Sequence, residues 1–418
     1  MVSKRTVLLV LVFLVPLVLI FSQCFNLEKH EDARGEMYAG SASCIKCHKD
    51  IYNTYLQTAH QNTSRPASVH SIHGSFSQNH NSFLFDNGLQ VKMEKHGQEL
   101  YQVAYQNDKV LEKHRFNITF GGVKAETYLY WKGNQPFQLP ISYFNALHSW
   151  TNSPGYAINQ INFNRPIVRR CFECHSSYIK ELPRQTQSLI DRKEEFDKHT
   201  LIYGIDCERC HGPAANHVNY HTEFPEVKKA RYMVKYDSLT RTQKLNMCAV
   251  CHSGNKNDFL ISAFAFTPEK KLEDFKEPDF MSPDPNAKQL DVHGNQNQLL
   301  ANSQCFVKSN MDCSTCHNTH VNERANLFLY SQRCMDCHKN SIHSFAKNAP
   351  GLNTAIKQNC IDCHMPAKPS NVIVVQTSGK GTAVPYLVRT HYIAVYPKES
   401  KKILAFLKIN NITGSRAN

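Results

Sequence analysis

The pattern of apolar and polar positions changes several times along the chain, and each change marks an element. Val7 to Phe21 is one apolar run, with Lys4 and Arg5 before it and Ser22-Gln23-Cys24 after it. It is short for a membrane span, and a charged head followed by an apolar middle reads as an export signal. Asn26 to Glu36 is polar and reads as a tether. Ile51, Tyr55 and Leu56 recur at helical spacing and predict a helix across Ile51 to Ala59. Between about Phe76 and Phe144 the period shortens to two. Ser82 to Phe85, Leu89 to Met93, Leu100 to Tyr105 and Phe116 to Phe120 alternate, with Asp86-Asn87-Gly88, His96-Gly97 and Asn107-Asp108 between them. That is a β-meander broken by turn residues. Packing, shielding and partner docking all remain open as its role. From Phe259 to Asp291, Pro268, Pro278, Pro283 and Pro285 among many charges predict a linker crossing the surface. After Pro369 a few apolar residues and His391 lead to a basic tail.

Composition makes this pattern harder to explain with protein alone. The chain has 418 residues but only 41% are apolar, a thin core for two or three domains. Its formal charge of +13 would ordinarily suggest nucleic acid or an anionic membrane. No basic run or aromatic-basic stripe calls for nucleic acid, however.

The cysteines resolve both points. Of 16, all but Cys24 and Cys305 fall in seven copies of Cys-x-x-Cys-His. These are Cys44-Cys47-His48, Cys171-Cys174-His175, Cys207-Cys210-His211, Cys248-Cys251-His252, Cys313-Cys316-His317, Cys334-Cys337-His338 and Cys360-Cys363-His364. Cys-x-x-Cys-His is the attachment site of a c-type haem: the thiols reach two vinyl groups on one porphyrin edge, and the histidine becomes the proximal iron ligand. Zinc ribbons need no histidine after each second cysteine, and disulfide scaffolds do not repeat one His-terminated unit. Seven covalently attached haems c are therefore the expected cofactor. They would supply the missing core, and their propionates, about −14 in all, would offset the basic balance. The close spacing of Cys313 and Cys334 favours haems in near contact.

Haem c is attached after export, so signal and motifs agree on an extracytoplasmic location, the bacterial periplasm or cell surface. Phe21-Ser22-Gln23-Cys24 looks like a lipoprotein box with Cys24 at the lipid position, although Gln23 is atypical there. An uncleaved signal anchor, or ordinary cleavage nearby, is the alternative. Lipid or anchor would make the protein membrane-associated.

A carrier haem has both axial positions filled, whereas a reactive haem leaves one open. Seven of 22 histidines are proximal, and the fifteen others could saturate every iron. His70, His73, His80, His96 and His114, in or near the meander, read as surface histidines.

Several further runs carry a resemblance. They are Gly40-Ser41-Ala42-Ser43-Cys44 with His60, Cys207-Glu208 through Cys210-His211-Gly212-Pro213 with His217, and Asp291-Val292-His293-Gly294-Asn295-Gln296. Cys316-His317-Asn318-Thr319-His320, Cys363-His364-Met365-Pro366 and Arg389-Thr390-His391 complete them. On these, the whole mature chain resembles the multihaem c-type cytochromes of the cytochrome c-554-like superfamily, including those fused to tetratricopeptide repeats. The resemblance implies distal ligation by His60, His217, His293, His320 and His391. His343, five residues after His338, fits a sixth. For the seventh, His148 in Ala146-Leu147-His148-Ser149-Trp150 is preferred over His199. If neither ligates, one haem has an open site. Cys305 belongs to no motif and reads as a buried free thiol; a disulfide to Cys24 requires that Cys24 carry no lipid.

The expected fold is thus a multihaem cytochrome c, with short helices and long loops wrapped around seven haems and a β-rich segment after the first. The expected layout is a signal over 1–23, a tether over 24–36, a first haem segment over 37–75 and the β-rich segment over 76–144. Haems two to four follow over 145–258, then the linker over 259–291, then haems five to seven with the tail over 292–418. The leading function is electron transfer between a quinol-linked donor and an extracytoplasmic acceptor, with redox proteins of the respiratory chain as partners. The alternative is an oxidoreductase acting on a small nitrogen or sulfur compound at one open haem, with Tyr143, Tyr156, Arg169 and Arg170 near the second motif available to a substrate. Against it, every motif ends in histidine. A haem module that only docks a partner protein is a third class.

Overall fold

The computed structural model describes residues 32–183, 193–254, 259–277, 289–341, 343, 356–379, 381 and 383–414. The export signal, Cys24 and the start of the tether lie outside these residues. Among the described residues no helix is long and apolar enough to cross a membrane.

The alternating segment forms two antiparallel sheets. One has four strands in chain order: Ser82–Leu84, Leu89–His96, Glu99–Gln106 and Lys109–Arg115. Asn107 and Asp108 both take positive φ (48° and 62°) and form a two-residue hairpin loop, as a right-twisted ribbon favours. The other sheet has seven strands centred on Ile118–Gly121 and Ala125–Lys132. Ser64–Pro66 joins one edge, and Gln135–Gln138 then Arg165–Pro166 join the other. Ile141–Phe144 pairs with the start of Ala125–Lys132 and with Ser149–Asn152. The β-rich region therefore extends past both expected ends.

Period-two alternation divides the seven-stranded sheet into two apolar faces. Tyr128 and Tyr130 point one way, into a core with Phe83, Val91, Met93 and Leu100 of the four-stranded sheet and with Trp150. Gly74 sits so close to Trp150 that a Cβ there would lie 2.1 Å from the indole ring. Leu129 points the other way and packs with Ile118, Phe120, Ile167, Phe172, Ile179 and Phe196. That second face seats the helix Arg169–His175, which carries the second Cys-x-x-Cys-His.

Elsewhere the chain is short helices and connecting loops. The helix expected over Ile51 to Ala59 spans Lys49–Tyr55, because the Thr58 hydroxyl donates to the Tyr55 carbonyl and the chain tightens into turns. The described part of the expected linker is not a surface crossing. Phe259, Ala263, Phe266, Leu272 and Phe275 form a buried cluster with Ala249 and Val250 of the helix Arg241–His252. Lys276 is fully buried, and its Nζ donates to Ser253 O, Ser253 Oγ and Gly254 O at 3.2, 2.9 and 3.2 Å. An ammonium there meets the carbonyls that a helix C-terminus leaves unpaired. The aromatic residues outweigh the prolines and charges that suggested a linker. The region beyond Pro366 is also more ordered than a loose tail: Ala367–Gln376 and Ala383–Arg389 form a hairpin, and Pro397–Gly414 is helical.

Candidate haem-binding cavity

Five motifs lie on or at the end of a helix: Arg169–His175, Cys207–His211, Arg241–His252, Leu327–Cys337 and Cys360–His364. One helical turn puts residues i, i+3 and i+4 on the same face, so both thiols and the histidine project together. Local caps start several of these turns. Asp206 accepts from the Arg209 N–H (2.8 Å), Asp312 from Ser314 (2.8 Å) and Asn359 from Asp362 (3.1 Å).

One continuous cavity of about 2980 Å³ is lined by thirteen of the fourteen motif cysteines and all seven motif histidines. Ordinary small-molecule sites occupy about 300–1,000 Å³. A cavity this large, walled by thiols and imidazoles, suits a row of large flat groups. His60, His217, His293, His320, His343 and His391 line it too.

The histidines meet in pairs drawn from distant parts of the chain. Ring centroids lie 6.4 Å apart for His48 and His217, 6.2 Å for His60 and His252, and 5.9 Å for His211 and His320. They lie 6.2 Å apart both for His317 and His391 and for His343 and His364. A metal–imidazole bond is about 2.0 Å, so two rings holding one metal from opposite sides have centroids about 6.3 Å apart. All five pairs match that separation. Their interplanar angles run from 16° to 84°, which two rings sharing one axis are free to do. His293 is an electrostatic neighbour of both His175 and His252. The residues thus fit c-type haem with histidine on both faces.

Ring nitrogens not needed for a metal are engaged elsewhere. His217 Nδ1 lies 2.7 Å from Arg231 O, His364 Nδ1 3.0 Å from Ala394 O and His175 Nδ1 3.1 Å from Thr63 Oγ1. Such contacts orient a ligating imidazole. Burial pushes His60, His175 and His391 down to about 4 and so keeps them neutral, the form that binds a metal.

Two expectations fail. His148, preferred as the seventh distal ligand, is exposed, lies outside the cavity lining and follows the turn Asn145–Leu147 with φ 46°. It belongs to the short connection between two sheet strands, which holds it at the rim. His199 is also exposed and outside the cavity, on the strand Phe196–Tyr203. Cys305 is half-buried rather than buried, beside Cys337, and burial pushes its thiol up.

Thiols of neighbouring motifs lie close together. Cys44 and Cys207 lie within hydrogen-bonding reach, as do Cys174 and Cys251, Cys248 and Cys313, and Cys334 and Cys360. Cys210 is an electrostatic neighbour of Cys248 and Cys251, and Cys316 of Cys334 and Cys337. The attachment sites therefore run first, third, fourth, fifth, sixth, seventh, with the second branching from the fourth.

Residues outside the motifs fasten this array, and sequence reasoning missed them. Glu208, between the thiols of the third motif, accepts from the backbone N–H groups of Ala39, Gly40 and Ala214 at 2.9, 2.9 and 2.8 Å. Arg34 Nη2 donates to Asp206 (2.7 Å) and Glu208 (3.1 Å). Glu173, between the thiols of the second motif, accepts from Ser262 Oγ (2.9 Å) and Ala263 N (3.0 Å). Phe120 stacks on His175 at 4.8 Å and ties the seven-stranded sheet to the second site. The one signal for the acids was a glutamate inside two of the seven motifs.

Residues 141–212, which run from the strand Ile141–Phe144 through the second and third motifs, match the family cytochrome c554 and c-prime. Among solved structures, the outer cell wall cytochrome OcwA is similar at 16% identity and a TM-score of 0.48, over 88% of this chain and 81% of that one. No curated protein matches the chain. The family match, on a segment that holds two of seven Cys-x-x-Cys-His motifs, supports a c-type multihaem cytochrome.

Proposed function

We propose that this chain is an extracytoplasmic electron carrier that holds seven haems c and relays electrons along them. The carrying observation is that the attachment sites share one cavity, lined by all seven motif histidines, in which thiols of neighbouring motifs lie close together: Cys44 to Cys207, Cys174 to Cys251, Cys248 to Cys313 and Cys334 to Cys360. When bound, haem supplies one-electron redox chemistry, with potentials set by axial ligands, burial and nearby charge. The chain's own part is to hold and orient. Paired histidines fix five of the sites from two sides, and the capped turns keep thiols and imidazole on one face. Transfer of this kind needs no general acid or base.

The export signal favours work outside the cytoplasm, and Cys24 offers a lipid anchor, with an uncleaved signal as the other attachment. A quinol-linked donor and an extracytoplasmic acceptor are the partners such a carrier would join. The test is the intact mass of the exported holoprotein with a haem assay on the same sample, followed by a potentiometric titration. Seven haems per chain, all reversibly reduced, would support the reading. Fewer than seven, or a subset that never reduces, would sink it.

A further inference from the structure

The turn between the strands Ile118–Gly121 and Ala125–Lys132 leaves the β-rich region and enters the wall of the haem-binding cavity with Gly122, Val123 and Lys124. Asn145 holds that turn in place. Its Nδ2 donates to Gly122 O and to Val123 O, both at 2.9 Å, and its backbone N–H donates to Lys124 O at 2.9 Å. Gly122 has φ 146°, and a Cβ there would lie 2.7 Å from Arg65 Nη1, so the turn is tightly packed. Lys124 Nζ donates in turn to Leu387 O at 3.1 Å and lies 5.0 Å from the Tyr386 ring centroid.

Two arginines meet Lys124 there. Arg324 and Arg389 are its electrostatic neighbours, and all three side chains line the cavity. Arg389 is engaged, donating to Asp362 and to Met365 O. Among the described residues no carboxylate pairs with Lys124 or Arg324, and Glu323, next to Arg324 in sequence, is taken by Arg333. Both cations are open to the cavity, yet the protein around them displaces enough water to push each below its ordinary value, and the two arginines push Lys124 further. Like charges gathered on one wall repel unless an anion joins them. The cluster belongs to the fifth site. Tyr330 is a neighbour of Arg324, and its hydroxyl lies 3.4 Å from His317 Nδ1. Arg389 is just ahead of His391, the ring that faces His317.

We propose that Lys124 and Arg324 take a carboxylate, the propionate of the haem at the fifth site, and that the β-rich region thereby sets the charge around one haem of the relay. This rests on the seven-haem reading. Pairing a propionate with two cations offsets negative charge beside the iron, which favours the ferrous form and raises the potential. No covalent bond forms or breaks. The alternating segment thus acts on the relay through a charge, besides packing against it.

The experiment is a potentiometric titration of the full-length holoprotein and of its K124Q, R324Q and K124R variants. The haem count is taken on each sample, so a failed seven-haem reading shows independently. H391M marks the fifth haem by changing its axial ligand and so its spectrum; where H391M loses that haem, the missing component identifies it instead. K124Q and R324Q should each lower one midpoint potential, the marked one, with haem count and thermal midpoint unchanged. K124R should keep the parent value. Midpoints that stay unchanged in both glutamine variants would overturn the proposal, and so would shifts in haems other than the marked one. Inorganic phosphate, compared with chloride at equal ionic strength, tests a free oxyanion as the other source. A parent midpoint indifferent to phosphate supports the propionate. One that phosphate moves in the parent but not in K124Q assigns the cluster to a free anion, and the proposal fails.

Discussion

The Glu208 carboxylate accepts a hydrogen bond from the Gly40 backbone N–H at 2.9 Å, across 168 residues of chain. Ala39, Ala214 and Arg34 donate to the same carboxylate, which is buried. Glu208 sits between the thiols of the third motif, and Gly40 opens the turn leading to the first. One side chain therefore sets the register of two attachment sites. Replacing it with alanine strands three backbone donors away from water, while Arg34 keeps Asp32 and Asp206. E208A should lose about 3–5 kcal/mol of stability, read as a lower thermal midpoint of the holoprotein by circular dichroism. A midpoint within a degree of the parent would show that the contact does not organise the pair.

How much of this was legible in the chain differs by layer. Attachment chemistry is a local code, readable because Cys-x-x-Cys-His needs only one turn of backbone. Distal partnership is not local. His60 faces His252, and His317 faces His391, so nearness in sequence carries no information. His148 lies close before the second motif in sequence, yet it is exposed and outside the cavity lining. The alternating segment was readable as strands, but edge strands of two or three residues, such as Arg165–Pro166, leave no periodic trace. The linker was misread because proline and charge were weighed above Phe259, Phe266 and Phe275, whose burial against Val250 only the fold reveals.

Gly204 has φ 69°, and a Cβ there would lie 2.2 Å from the Gln61 carbonyl oxygen. Its N–H donates to Ser64 Oγ at 2.9 Å, and the next N–H, that of Ile205, donates to His60 O at 2.9 Å. Alanine would be strained by its own dihedral and would push against backbone that cannot give. The displaced group is the loop that aims His60 at His252. G204A should perturb the low-spin resonance of the fourth site while leaving the haem count at seven. A spectrum identical to the parent would mean that the loop absorbs the methyl without moving His60.

Lys276 tests the packed segment that was expected to be a linker. Its ammonium serves two carbonyls and a hydroxyl at the end of the helix Arg241–His252. K276M keeps the stem's volume and removes three donated hydrogen bonds; Ser253 O keeps Gln298 Nε2 (2.6 Å) and Gly254 O keeps Arg170 Nη2 (3.4 Å), so the cost is about 1–3 kcal/mol. Chemical denaturation should show the loss as a lower midpoint at constant slope, with cleavage by added protease concentrated between residues 259 and 277. If the midpoint is unchanged, water replaces the ammonium and the segment is less tightly held than the geometry implies.

Glu323 joins the fifth and sixth sites, and it carries a pH dependence with a definite sign. Arg333 donates to it through Nη1 and Nη2 at 2.7 and 2.6 Å, and the Asn318 N–H donates at 3.1 Å. Arg333 also donates to Cys316 O at 2.7 Å, so one guanidinium bridges two motifs. The hydrogen bonds from Arg333 hold the Glu323 carboxyl below the usual carboxylate range. In the unfolded chain this group titrates near about 4.3. Its native form binds protons less readily, so its contribution is complete above that value and fades as the pH falls through the lower native value. Glu323 is near the surface, and solvent screening keeps the effect to about 1 kcal/mol or less. E323Q should therefore lower the thermal midpoint by a few degrees at pH 7, and parent and variant should converge as the pH drops below 4. A gap that persists undiminished at pH 3 would assign the loss to packing rather than to charge.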